Sequence, residues 1–299
     1  MGSVPQQPGF KRPDHRGQGV STLMGDFVNH LEAVAQNHDN YDGLSTGLYD
    51  LDDLTGGLQP SNLIVIAGCP LAGKTSLAMN IVESVCLKQG VPVGVFSLRL
   101  SAEAIVTRMI ASLGDVDLRR IESKQLTDND WDRVNRTTRL LNEQCELFVD
   151  DTPRLSDDDF CQEARRWKRQ YDVGLLVVDP LQMMTSSDNK ENRTQELSAI
   201  TRKLKRMAME LHIPVIAISG ISSDVAYRRN KRPRLTDIPD SGSIEDDADL
   251  ITFIYRERIY KPTSKNKERA ELIVAKHRNG PLGQVQTRFQ PNFARFSDE

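Results

Sequence analysis

The chain has 299 residues, with 39 Lys+Arg against 42 Asp+Glu and a formal net charge of −3; hydrophobic residues make up 38% and charged residues 27%. These proportions belong to an ordinary globular protein and exclude a collagen, a low-complexity chain and a disulfide-rich miniprotein. The balanced charge excludes nucleic-acid binding through bulk positive charge, though not through a local basic patch.

Met1 to about Gly19 is rich in Pro, Gly, Gln and charge, which predicts a disordered tail over residues 1–20. The tail has no apolar core of the kind a signal peptide carries. No apolar run approaches the ~18 residues that a membrane span needs. Cys69, Cys86, Cys145 and Cys161 never fall at C-x-x-C spacing and read as buried free thiols in a reducing, cytoplasmic compartment. From Ser21, Leu23, Phe27, Leu31 and Val34 recur at helical spacing. They predict an amphipathic helix within residues 21–42 that needs a surface to bury against.

From residue 43 the pattern becomes α/β. The apolar run Leu63 to Ala67 reads as a buried strand. Further strands are predicted at Val93 to Ser97, Leu147 to Val149, Val173 to Val178, Pro214 to Ser219, Leu250 to Tyr255, Glu271 to Ala275 and Val285 to Phe289. Helical patterns cover Lys74 to Lys88 and about 101–113, 127–142, 155–170 and 192–211. This alternation predicts one α/β domain over residues 43–299, with a mainly parallel central sheet flanked by helices.

Gly68-Cys69-Pro70-Leu71-Ala72-Gly73-Lys74-Thr75 fits the phosphate-loop pattern G-x-x-x-x-G-K-[ST], and it lies between a predicted strand and a predicted helix, as that loop requires. Glycines let backbone amides wrap phosphates, the lysine reaches the outer phosphates, and the threonine hydroxyl serves Mg²⁺. The candidate ATP-binding residues are therefore Gly68, Pro70, Ala72, Gly73, Lys74, Thr75 and Ser76. Asp179 ends the apolar run Leu175 to Val178. A carboxylate there suits Mg²⁺ held through water, and an aspartate capping the next turn is the plainer alternative.

Longer stretches carry a resemblance. STGLYDLDDLTGGLQPSNLIVIAGCPLAGKTSLAMNIV, SLRLSAEAIVTRMIASLGDVD, VVDPLQMM, MELHIPVIAIS, SGSIEDDADLITFIYRERIY and AKHRNGPLGQVQTRF are similar, in order and spacing, to the motor domain of the DnaB-type replicative DNA helicases. The resemblance covers about Leu44 to Phe296. It implies a RecA-like P-loop NTPase fold, a hexameric ring, ATP between neighbouring subunits and single-stranded DNA in the pore. It also implies a linker helix over 21–42 that docks on the next subunit. The length leaves room for the motor and that helix, but not for the helical N-terminal domain of full family members. By position, Lys74 and Thr75 match the nucleotide-binding pair and Asp179 the Mg²⁺ carboxylate. Lys276 and Arg278 match the basic residues that reach the neighbour's γ-phosphate. Spaced i and i+2 on a strand, they share one face. Without the resemblance they would read as a surface charge cluster.

Three departures from the family pattern fall on chemistry. Arg99 stands where the family has the glutamate that activates water, and an arginine cannot act as a base. Gly220 replaces a glutamine expected to sense the γ-phosphate. Pro239-Asp240-Ser241-Gly242 replaces Arg-Glu-Ser-Gly in the pore segment, keeping Gly242 but losing an arginine contact to the DNA backbone. Pro180 also replaces an aromatic residue.

Arg228, Arg229, Lys231, Arg232 and Arg234 put five positive charges in seven residues. They read either as a substitute grip on DNA phosphates, with Tyr227 available for stacking, or as a solvated loop. Arg202, Lys203, Lys205 and Arg206 read as the solvated face of a long helix. His30, His212 and His277 are not grouped as metal ligands.

Two functions follow. One is a DnaB-like ATP-binding protein acting in DNA replication with weakened hydrolysis, working in its own ring or on a host replicative helicase. The other is an active hexameric ATP-dependent helicase. A relative serving a different ring ATPase is a more distant third.

Overall fold

The structure is a computed structural model that describes residues 43–187, 192–239 and 241–299, together with Val20, Met24, Gly25 and Val28. The chain divides into two units, Met1–Asn40 and Tyr41–Glu299. Within the first, the four described residues are helical. The rest of the expected tail and linker helix lies outside the described residues.

The second unit is built on one nine-stranded sheet. Its strands are β1 (Leu63–Gly68), β2 (Val93–Ser97), β3 (Leu147–Asp150), β4 (Leu175–Asp179), β5 (Val215–Gly220), β6 (Leu250–Tyr255), β7 (Arg269–His277), β8 (Gly283–Gln290) and β9 (Arg295–Asp298). The order across the sheet is β3-β2-β4-β5-β1-β6-β7-β8-β9. The first six of these are parallel, and β7 to β9 add an antiparallel meander beside β6. β1, β2, β4 and β6 are buried along their whole length, which is why they read as continuous apolar runs rather than alternating ones.

The helices, in chain order, are α1 (Tyr49–Thr55), α2 (Lys74–Glu83), α3 (Ala102–Gly114), α4 (Leu118–Glu122), α5 (Asp128–Gln144), α6 (Asp157–Tyr171), α7 (Arg193–Leu211), α8 (Ser241–Asp247) and α9 (Glu257–Tyr260). Local chemistry sets their ends. Ser101, Thr127, Ser156 and Asn192 accept from the first-turn amides of α3, α5, α6 and α7. Asp115, Asp172 and His212 close α3, α6 and α7 in the left-handed conformation. His212 also meets the Ser61 hydroxyl at 2.9 Å, so it serves a helix end.

The helix predicted as Lys74 to Lys88 ends at Glu83 and continues as a π turn over Ser84–Lys88. β9 and the short helices α1, α4, α8 and α9 were not predicted. Cys69, Cys86 and Cys161 are buried, but Cys145 is half-buried, at the end of α5. The predicted solvated face of α7 needs correction at two positions. Lys203 bonds Asp157 and Asp158, and Lys205 bonds Asp249.

Candidate nucleotide site and its two edges

Parallel strands deliver their C-terminal ends to one edge, where α/β sheets bind ligands. Gly68, Ser97, Asp179 and Gly220 all end there. Gly68 pairs in register with Gly220, and Ser97 with Asp179. The phosphate loop follows Gly68 and turns into α2 at Gly73, whose φ of +101° favours glycine. A Cβ at Gly73 would stand 3.0 Å from ring atoms of Phe289 and Phe296. Those two rings stack with centroids 4.4 Å apart, so the meander forms a hard wall under the loop.

Lys74 and Thr75 open α2. Lys74 Nζ donates to the carbonyls of Gly68 and Cys69, each at 2.9 Å. Burial pulls its pKa down and nearby Arg99 adds to that, against the opposing pull of Cys69 and Asp179. Thr75 Oγ1 donates to Asp179 Oδ2 at 2.5 Å. The Asp179 carboxylate thus faces the loop threonine. Burial raises the Asp179 carboxyl, while Thr75, Lys74, Arg99 and Arg108 lower it. A hydroxyl and a carboxylate in contact at a phosphate loop are the donor set that holds Mg²⁺ beside a nucleotide. The residues present therefore fit ATP and Mg²⁺.

Arg99 is exposed just beyond β2, close enough to Lys74 and Asp179 to act on both. The charged side chains bearing most strongly on Asp179 are thus all cationic. Gly220 has open space where a Cβ would stand. The Gln182 carboxamide fills this end of β5, accepting from Gly220 N at 3.3 Å and donating to Ser219 Oγ at 2.7 Å. Arg256, directly after β6, is 6% exposed. It donates to Leu71 O at 2.9 Å and lies 4.4 Å over the Phe289 ring. Gln182, Arg256 and Arg108 were missed in the sequence. Arg256 carried one usable signal: like Asp179, it is a charged residue at the C-terminal end of a buried strand.

Lys276 and Arg278 sit at the other edge. β7 runs antiparallel to β6, so Lys276 pairs with Ile251 and His277 with Leu250, at the beginning of β6. β1 is parallel to β6, and its six residues span about 17 Å. The basic pair is therefore about one strand length from the chain's own phosphate loop. Arg278 lies one residue beyond β7, not within it as the predicted i, i+2 spacing required. Both side chains nevertheless reach the end of α8: Lys276 donates to Glu245 O, and Arg278 Nη2 to Asp246 O at 3.1 Å.

The basic segment is less open than predicted. Arg228 forms a double hydrogen bond with the buried Asp237, at 3.0 and 2.7 Å. Arg232 forms another with Glu271, at 2.7 and 2.8 Å, and lies 4.8 Å over Tyr255. Lys231 donates to the carbonyls of Ala226 and Arg228. Arg229 and Arg234 remain exposed, as does Tyr227. Gly242 lies in the first turn of α8, and with Pro239, Ser222 and Thr236 it lines an open cavity of about 660 Å³. Asp240, from the altered pore segment, lies outside the described residues.

Comparison with known proteins places this architecture. The family model of the DnaB-like helicase C-terminal domain matches residues 43–298. The chain belongs to that family. A replicative DNA helicase DnaB of Haemophilus influenzae is 42% identical over 285 residues, covering 94% of this chain and 61% of the relative. That of Geobacillus stearothermophilus is 39% identical over 283 residues, covering 91% and 62%. The chain therefore spans about three-fifths of the length of these relatives. A solved ATPase domain matches with a TM-score of 0.89 at 28% identity, covering 95% of this chain and all of the other. A DnaB-like replicative helicase, solved in a study of its interactions with primase, matches with a TM-score of 0.85 at 29% identity, covering 96% of this chain and 68% of the other. The DnaB-like motor and its RecA-like fold thus confirm the family and fold class implied by the sequence. Among the described residues no helix is long and apolar enough to cross a membrane.

Proposed function

We propose that this chain is a DnaB-type, ATP-binding ring subunit that acts in DNA replication and hydrolyses ATP slowly. It works in its own ring or on a replicative helicase, in the cytoplasm. The observation that carries the reading is Arg99, a permanent cation beside Lys74 and Asp179 where the family resemblance calls for a glutamate.

The loop amides and Lys74 bind the phosphates, Lys74 exchanging its present bonds to Gly68 O and Cys69 O for phosphate oxygens. Bound Mg²⁺ supplies charge neutralisation on the outer phosphates, and Thr75 with Asp179 holds it. Arg99 cannot take a proton from water, because its guanidinium stays charged in proteins. Its guanidinium would instead pair with a terminal phosphate, favouring bound over hydrolysed ATP. Loss of a general base costs ~10²–10⁴-fold in rate.

The separation of the two edges supports a ring. Lys276 and Arg278 cannot serve their own phosphate loop across the length of β1, so they act on a neighbour's nucleotide. Arg229 and Arg234, exposed in the basic segment, are the residues that grip single-stranded DNA, together with Gly242 of the pore segment.

A fully active motor is the second reading. The Thr75–Asp179 contact and Gln182 at the end of β5 favour it. The test is DNA-stimulated ATP hydrolysis by the protein alone and then mixed with a replicative DnaB helicase. The first reading expects tight nucleotide binding, little turnover alone and an altered helicase rate in the mixture. Fast turnover alone establishes the second.

A further inference from the structure

Asp249 precedes β6 and is 3% exposed. Its carboxylate is held from three directions. Oδ2 accepts from Leu63 N at 2.8 Å and from Lys205 Nζ at 2.6 Å. Oδ1 faces Arg278 Nε at 3.3 Å. The backbones are also joined: Asp249 N donates to Leu63 O at 2.9 Å, and Arg278 N to Asp249 O at 2.8 Å.

The three side chains are buried very unequally. The Asp249 and Lys205 side chains are 4% and 18% exposed, whereas that of Arg278 is 50% exposed. A buried carboxylate needs one counter-ion, and Lys205 provides it. The contact to Arg278 is additional: it holds the guanidinium at its Nε, beside the Nη2 bond to Asp246 O. Nε and one Nη2 proton are engaged within the chain, so three of the five N–H donors remain for a ligand outside it. The carboxylate also takes the first amide of β1, the strand whose far end carries the phosphate loop.

We propose that Asp249 is the positioning residue for Arg278, aiming its guanidinium at the nucleotide of the neighbouring subunit and registering it against β1. The inference rests on Arg278 acting in trans, as proposed above.

The test uses the full chain in an Arg99→Glu background, which supplies the missing base. It compares Arg278→Ala, Asp249→Asn and the double variant in ATP turnover, in ATP-induced self-association by sedimentation, and in binding of a fluorescent ATP analogue by dilute protein. Asp249→Asn is expected to lower kcat or ATP-induced association roughly tenfold or more, with KM and analogue affinity within about twofold, and the double variant to match Arg278→Ala. If Asp249→Asn fails to fold, Asp249→Asn with Lys205→Met removes the buried pair together and takes its place. If Arg278→Ala lowers these readouts and the Asp249 variants leave them unchanged, the positioning role is overturned and the finger stands. If the Asp249 and Arg278 losses add, or analogue affinity falls with them, Asp249 is only structural and the proposal is overturned. If Arg278→Ala changes nothing, the finger reading fails and the positioning role with it.

Discussion

Burial decides the protonation of Glu83. The side chain sits at the end of α2, hydrogen-bonded to Asn80 and Ser112, and burial pushes its pKa up from the usual carboxylate range to about 8. The folded state then holds a proton at neutral pH that the unfolded chain has released. The unfolded state therefore gains on the folded one as pH rises from about 4.5 to about 8, by roughly tenfold in the equilibrium per pH unit, and no further above that. Thermal melts of wild type are expected to fall across this window, whereas Glu83→Gln, which keeps the neutral amide, is expected to be flatter by several degrees. Parallel pH profiles of the two would refute the assignment. At the other end of α2 the same physics acts on Asp179 and Lys74, where burial disfavours both charges and each supports the other.

The basic segment divides into supports and candidate contacts. Arg232 pairs with Glu271, which is 8% exposed, so Arg232→Ala leaves a buried carboxylate without its partner. A loss of ~1–3 kcal/mol in denaturant unfolding is expected. Arg229 is exposed, so Arg229→Ala is expected to leave stability within ~0.5 kcal/mol. It should weaken single-stranded DNA binding and lower the salt dependence by about one phosphate contact. The reverse pattern would assign the grip to Arg232. The sequence exposed the charges of this segment but not their partners, because Glu271 lies on β7, 39 residues away. The buried parallel strands were legible, since burial on both faces requires continuous apolar runs. β9 was not: its Arg-Phe-Ser-Asp presents only Phe296 to the core. The phosphate loop and Asp179 were legible because loop chemistry and strand ends are local. Gln182, Arg256 and Asp249 were not, because each acts through contacts between distant elements.

On the scale of the whole molecule, the sheet holds a nucleotide cradle at one edge and a basic pair at the other, about 17 Å away along β1. In the proposed function the basic pair completes a neighbour's site rather than its own. Subunits with Lys74→Ala lack a working cradle, and those with Arg278→Ala lack a finger. In a ring with a trans finger, mixing them gives interfaces with an intact cradle from one and an intact finger from the other. Mixing the two inactive variants in the Arg99→Glu background is therefore expected to restore a readily measured fraction of turnover. Turnover equal to the sum of the separate variants would place the finger within its own subunit.

The central claim is that this DnaB-family motor keeps its nucleotide site and its trans finger while a cation occupies the position of the base. DNA-stimulated ATP turnover of wild type against Arg99→Glu, with nucleotide affinity measured alongside, tests it most directly. Turnover is expected to rise ~10²-fold or more in Arg99→Glu at little change in ATP affinity. High turnover in wild type that Arg99→Glu leaves unchanged would contradict it.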